Sequence, residues 1–355
     1  MIAIVATVLA ATASPTHAWS HQQHILITRM AALRIINDPD APEGLKNFLK
    51  TNMKYDLEAC RKLTLEETVG IEAKNYLTGL DGACTLPDRI RATDANIAPY
   101  NAPESKMHFM DWENFVSDRP QITAVPHDLH DPRWKQAGYI PFRVEEMYNE
   151  LVKAFATGGG EKFDNAHALK ITGYLSHYIA DCHQPLHATA DYKSYSYLFG
   201  KIPAIRKITQ TLPDGREITK YTVDKEFSQS INPHTDLEFQ LFEDTQAPRK
   251  ELREKFWKEL ERQIALQTAT TVSPYFTKAG SFTRALEILA DSYAYLPAIG
   301  KAAQAAYATG KFDPKAFFSN DIIQLMAARH AAAILELERT LRTAWSEAKS
   351  TKLTN

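Results

Sequence analysis

Apolar residues recur at three- and four-residue intervals through seven stretches of this chain: Ile25 to Ile36, Glu43 to Leu49, Val144 to Phe155, Ala166 to Ala180, Glu254 to Thr270, Phe282 to Tyr293 and Ile322 to Ala344. That period belongs to the α-helix, and each stretch carries an apolar stripe that has to be buried against another element. The chain is therefore expected to be all-α, a single mainly helical domain over residues 19–355. Proline and aspartate in Pro120 to Gln136, the polar run Ala95 to Ser105, and Gly158 to Gly160 mark loops between helices. One stretch departs from the pattern. Arg206 to Phe227 alternates apolar and polar residues about the turn sequence Leu212-Pro213-Asp214-Gly215, which predicts a β-hairpin inserted in the helical body.

Residues 1–18 form a short apolar run ending in Thr16-His17-Ala18, expected to be a secretory signal cleaved before Trp19. The run is too short to span a bilayer, so a periplasmic or secreted protein with no stable membrane anchor is expected. Lys and Arg number 41 against 43 Asp and Glu, which gives no global basic field for tight, non-specific binding of duplex DNA. Of three cysteines, Cys60 and Cys84 are the expected disulfide in an exported chain, with Cys182 left buried.

The densest chemistry lies in His177-Tyr178-Ile179-Ala180-Asp181-Cys182-His183-Gln184-Pro185-Leu186-His187. His177 and Asp181 are four apart and project from one helix face; Pro185 should end that helix and let His187 turn back toward the same cavity. Imidazoles and carboxylates are the ligands zinc takes where thiolates are absent. Four further places offer donors. In Trp19-Ser20-His21-Gln22-Gln23-His24, signal cleavage would free an α-amine that chelates together with its own carbonyl, and His24 adds an imidazole. Asp88 follows Pro87, and His108 opens His108-Phe109-Met110-Asp111. His234 and Glu238 repeat the i, i+4 geometry, and together these donors suffice for more than one ion.

The set Trp19, His24, Asp88, His108, His177, Asp181, His187, His234 and Glu238 resembles the trinuclear zinc site shared by the single-strand-specific type I nucleases of fungi and plants and the zinc-dependent phospholipases C of bacteria. Order and approximate spacing match from Trp19 to Glu238, while the C-terminal third matches only as helical scaffold. The resemblance implies three zinc ions in a cleft between helices. One would be held by Asp88, His108, His177 and Asp181, and a second by the amine and carbonyl of Trp19 with His24, sharing Asp181. His187, His234 and Glu238 would hold the third, and His183 matches a position that is not a ligand. It also implies catalytic roles for Asp88, which would orient or activate the attacking water, and for Arg91 on the phosphate. Substrate binding would fall to Phe109, stacking on a base, and Asp111, bonding to its edge.

The implied activity is a phosphodiesterase, foremost an endonuclease of single-stranded DNA or RNA with possible 3′-nucleotidase action, working as a monomer. Two departures point toward phospholipid as the alternative substrate. The Gly-Gly-Asn segment usual in the nucleases is absent between His187 and His234, where Tyr192, Tyr195, Tyr197, Leu198 and Phe199 stand instead. Glu238 also occupies a position where the nucleases generally have aspartate.

Overall fold

The structure, a computed structural model, describes residues 19–53, 55–65, 78–89, 97–156, 163–200, 206–211, 217–222, 231–242, 249–270 and 280–352. The expected signal at 1–18, Arg91, Gly158 to Gly160 and the turn at 212–215 lie outside these residues. Along the chain run α1 (His21–Asn37), α2 (Glu43–Asn52), α3 (Leu57–Leu65), α4 (Gly79–Arg89), α5 (Trp134–Ala137), α6 (Ile140–Ala156) and α7 (Asn165–Cys182). They are followed by α8 (Tyr195–Phe199), α9 (Pro233–Phe239), α10 (Arg249–Thr270), α11 (Ser281–Tyr293), α12 (Leu296–Ala306), α13 (Pro314–Phe317) and α14 (Asn320–Lys352). Each of the seven periodic stretches falls inside one of these helices. Arg206–Thr211 (β1) and Glu217–Thr222 (β2) pair antiparallel, with Arg206 opposite Thr222 and Thr211 opposite Glu217. No helix among the described residues is long and apolar enough to cross a membrane.

Helix α7 is the axis of the fold. Asp164 caps its N-terminus, its side chain accepting from His167 N, and every residue from Ile171 to Cys182 is buried. A helix covered on all sides is usually apolar all round. This one carries Thr172, Ser176, His177 and Asp181 into the interior, so each needs a partner. Thr172 donates to Ala168 O at 2.7 Å, and Ser176 pairs with Thr28 of α1. Helices α1, α4, α6, α11 and α14 pack around α7.

The closest approach is that of α4. A Cβ on Gly173 would stand 2.3 Å from Ala83 Cβ and 2.4 Å from the Ala83 carbonyl carbon, so only glycine lets the α4 backbone lie against α7 here. One residue on, Cys84 O faces His177 Nδ1 at 2.8 Å. The other side of α4 is tied to α1 by a buried pair, Arg29 to Asp81, with N–O distances of 3.2 and 2.6 Å. Breaking one partner of such a buried pair typically costs ~3–5 kcal/mol.

The expected Cys60–Cys84 disulfide is not formed; Cys60, Cys84 and Cys182 are buried free thiols. Cys84 Sγ donates to Asp81 O at 3.3 Å within α4. Burial raises both thiols, Cys60 to about 12, which leaves them as inert small apolar groups.

Candidate metal centre

Three short-range groups of donors form where α1, α4, α7 and α9 meet the segments carrying His108 and His187: His24, Asp88 and His177; His108, His177 and Asp181; His187, His234 and Glu238. His24 sits on the first turns of α1, behind a cap in which Ser20 O accepts from His24 N at 3.0 Å. Asp88 lies in the last turn of α4, directly after Pro87. Helix α7 stops at Cys182, and Pro185–Ala188 form a 3-10 turn that returns His187 to the cluster. His234 and Glu238 come from α9, capped by Asn232 with Pro233 in its first turn.

Asp181 divides its oxygens. Oδ2 lies 3.0 Å from His108 Nδ1 and 3.3 Å from His177 Nε2, whereas Oδ1 faces His24 Nε2 at 3.4 Å. Asp88 Oδ1 stands 3.5 Å from His177 Nε2 and 3.8 Å from His108 Nδ1, and its Oδ2 is 3.9 Å from His24 Nε2. In the third group His187 Nε2 and His234 Nε2 are 3.0 Å apart, with Glu238 Oε1 at 3.5 and 3.0 Å from them. Donors placed tetrahedrally ~2.0–2.1 Å from a zinc ion stand about 3.3–3.4 Å from one another, so these spacings suit one ion per group.

Ring orientation and unsatisfied polar atoms also suit cations. His177 Nδ1 bonds to Cys84 O at 2.8 Å and His187 Nδ1 to His108 O at 2.7 Å; a carbonyl can only accept, so the ring proton sits on Nδ1 and Nε2 is a lone pair aimed inward. Both ring nitrogens of His24, both oxygens of Asp88, Asp181 Oδ1 and Glu238 Oε2 are buried without a hydrogen-bond partner. Buried orphans at this density are unusual in a folded protein, and a bound cation would satisfy them together. Burial lowers His24 well below the usual histidine range and lowers His234 to about 3, keeping both neutral as ligands must be. Burial also opposes charge on His177, but Asp181 and Asp88 outweigh it and lift His177 to about 9, so without a cation Nε2 takes up a proton that metal binding would have to displace. Burial alone would raise Asp181; His177, His108 and His24 hold it well below the usual carboxylate range. Glu238 is pushed well above that range by burial, with His187 pulling the other way.

Trp19 is fully buried just ahead of α1, its Nε1 donating to Ala180 O at 2.9 Å, so the residue expected to become the N-terminus is anchored beside Asp181. His183 is set apart from the donors: its Nδ1 bonds to Ile179 O within α7. Phe109 and Asp111 lie on a strap pinned to the third group, since Met110 N donates to His187 O at 2.9 Å while His108 O accepts from His187 Nδ1. Phe109 is half-buried, with Lys106 Nζ 5.0 Å from its ring centre. Gly138, at φ +91°, lies so close that an added Cβ would stand 2.3 Å from Phe109 O. Burial raises Asp111 to about 8, helped by Glu113 and opposed by Lys106. No family model and no curated protein matches the chain.

Two contributors escaped the sequence reading. Gln184 Nε2 donates to Glu238 Oε1 at 2.8 Å, and its only sequence signal is its place between His183 and Pro185. His21 Nε2 approaches Asp88 Oδ2 at 3.8 Å; it shares a face of α1 with His24, three residues on, which is a legible spacing. The aromatic insertion is less of an apolar surface than expected. Tyr195 is buried, the Tyr197 ring lies against Gly300, and Leu198 packs on the core, which leaves Phe199 as its exposed large apolar side chain among the described residues.

Proposed function

We propose that this chain is an exported zinc-dependent phosphodiesterase acting as an endonuclease on single-stranded DNA or RNA. The observation that carries the reading is the split carboxylate of Asp181, which gives one oxygen to the His108–His177 side and the other to His24, as a residue bridging two adjacent ions would. In this reading Asp88, His108, His177 and Asp181 hold one zinc. The freed amine and carbonyl of Trp19 with His24 and Asp181 hold a second, and His187, His234 and Glu238 a third. The ions, when bound, supply Lewis acidity and counter-charge to a phosphodiester, which is anionic and weakly electrophilic.

The chain's own groups supply the rest. Asp88 presents oxygens with no hydrogen-bond partner and can orient a water for attack. Phe109, half-buried on the strap, offers a face on which an unstacked base can rest, and Asp111 beside it can bond a base edge. Stacking of this kind contributes ~1–3 kcal/mol and excludes paired bases, which accounts for single-strand preference. Arg91 would contact the phosphate. The strand pair β1–β2, taken as a hairpin inserted beside the zinc cleft, would border the substrate path. The inward packing of Tyr195, Tyr197 and Leu198 favours nucleic acid over phospholipid, because little contiguous apolar surface is left to receive acyl chains.

The test is a side-by-side assay of the signal-cleaved, zinc-loaded protein on single-stranded DNA, RNA and phosphatidylcholine, each with and without a chelator. Chelator-sensitive cleavage of nucleic acid is the expected result. Release of phosphocholine alone would overturn the nuclease reading and return the phospholipid alternative. Tight zinc binding with no turnover of even an activated phosphodiester would make the chain a metal-binding protein without catalysis.

A further inference from the structure

Helix α9 supplies two donors, His234 and Glu238, from only seven residues, and a helix of that length does not hold itself in place. Its outer side is tied to Tyr307, which follows α12: Asn232 N donates to Tyr307 Oη at 3.3 Å, and Tyr307 donates to Asp236. Its inner side is tied by two fully buried glutamines. Gln23 of α1, the neighbour of His24, donates to the Glu238 carbonyl, and Gln184 Nε2 donates to Glu238 Oε1 at 2.8 Å.

The orientation of the Gln184 amide follows from its other partner. Leu186 N lies 2.6 Å from Gln184 Oε1, and a backbone N–H can only donate, so that end of the amide is the oxygen and the end facing Glu238 is the donor. An ionised carboxylate accepts only, so a donor is the group it needs there. The bond fixes the plane of the carboxylate with Oε1 3.0 Å from His234 Nε2 and 3.5 Å from His187 Nε2. Gln184 also places His187. Its carbonyl accepts from His187 N at 3.0 Å, and its side chain caps the turn Pro185–Ala188 through the bond to Leu186 N. Its own N–H donates to Asp181 O at 3.0 Å, so its backbone belongs to the end of α7 while its side chain reaches α9.

We infer that Gln184 is the positioning residue of the third donor group, a side chain that sets Glu238 of α9 against the turn carrying His187 so that the two segments present one cage to an ion. The inference rests on the metal reading of that group and adds to it a residue that touches no ion. The links from Gln184 to Asp181 and to His187 N run through the backbone and survive a change of side chain. Altering the side chain therefore loosens the ion at His187, His234 and Glu238 and spares the ions at Asp181.

The experiment is elemental analysis and chelator titration of the signal-cleaved, zinc-loaded protein, on the parent, Gln184→Asn, Gln184→Met and Glu238→Gln. Glu238→Gln marks the ion in question as the one it loses. Asparagine keeps an oxygen able to cap Leu186 N but is one methylene too short to reach Glu238, whereas methionine removes both bonds. In both Gln184 variants the expected result is an ion at Glu238 held about 10–100-fold more weakly, with the other ions held as in the parent. Parental affinity for that ion in Gln184→Met would overturn the inference. Parental affinity in Gln184→Asn would do so too, by tracing any effect to the Leu186 bond, and equal weakening of every ion would assign Gln184 to packing. If Gln184→Met does not fold, Gln184→Asn carries the test alone. Equal zinc content in Glu238→Gln and the parent would instead remove the metal reading of the third group, and the inference with it.

Discussion

Substituting Gly173 by alanine sets two known effects against each other. In a helix interior alanine is favoured over glycine by ~1 kcal/mol, so with room available the change would stabilise the protein. There is no room. The new methyl would sit 2.3 Å from Ala83 Cβ and 2.4 Å from Ala83 C, both on α4. Carbon atoms in contact rest about 3.5–4.0 Å apart, so α4 must retreat by more than ~1 Å. Overpacking of this kind costs ~1–3 kcal/mol. The retreat also carries Cys84 O away from His177 Nδ1, now 2.8 Å distant, and leaving that buried donor unpaired costs a further ~1–3 kcal/mol. With the propensity gain set against them, the net loss is about 1–5 kcal/mol. Denaturant unfolding should show a lower midpoint at unchanged slope. Elemental analysis should show zinc lost first from the positions that use Asp88 and His177, because α4 carries the former and orients the latter. A midpoint unchanged or raised, with full zinc content, would refute the idea that glycine at 173 sets the α4–α7 spacing.

Asp181→Asn takes a donor from both ions proposed to share that carboxylate and leaves the His187, His234 and Glu238 group untouched, so zinc per chain should fall from three toward one and hydrolysis should drop by more than the roughly 10–100-fold typical of losing an outer partner; three ions retained would show that Asp181 does not bridge. Phe109→Ala should lower kcat/KM on single-stranded DNA by about 5- to 150-fold, the equivalent of ~1–3 kcal/mol of lost stacking, and spare a small activated phosphodiester that has no base; equal losses on both substrates would assign Phe109 to packing. The Asp111 carboxyl holds its proton up to about 8 in the folded protein but only to near its ordinary 3.8 when unfolded, so it draws stability down as pH climbs between those values and has no further effect above. Its partial exposure keeps that slope below the limit of ~1.4 kcal/mol per pH unit. Asp111→Asn should therefore lose less stability than the parent between pH 5 and 8.5 in denaturant unfolding, and matching pH profiles would remove the claim.

Much of this fold can be read from the chain because helices bury stripes: the seven periodic stretches mark α1, α2, α6, α7, α10, α11 and α14 to within a few residues over most of their ends. Helix α4 is harder to see. Gly79, Gly82 and Pro87 interrupt its pattern, and it is held by tertiary contacts, the Arg29–Asp81 pair and the fit against Gly173. The donors were legible for a local reason, since His177 with Asp181 and His234 with Glu238 are helical neighbours whatever the rest of the chain does. The cysteines misled because pairing by parity treats every thiol in an exported chain as a crosslink, while Cys60 and Cys84 are packed as small apolar groups. The Arg284–Glu336 pair gave no signal either, since it joins α11 to α14 across 52 residues.

The strap from His108 to Met110 is tied to His187 at both edges, by His108 O and by Met110 N. The residues proposed to read the base and the third donor group are thus one mechanical unit. Under the proposed function, loss of only that ion would blur the choice of substrate before it stopped hydrolysis, because Phe109 would drift with His187 while the His108 ring stays held by Asp181 and His177. Partial metal starvation would then show up as a broadened choice of substrates, and a preparation's selectivity would serve as a gauge of its metal content.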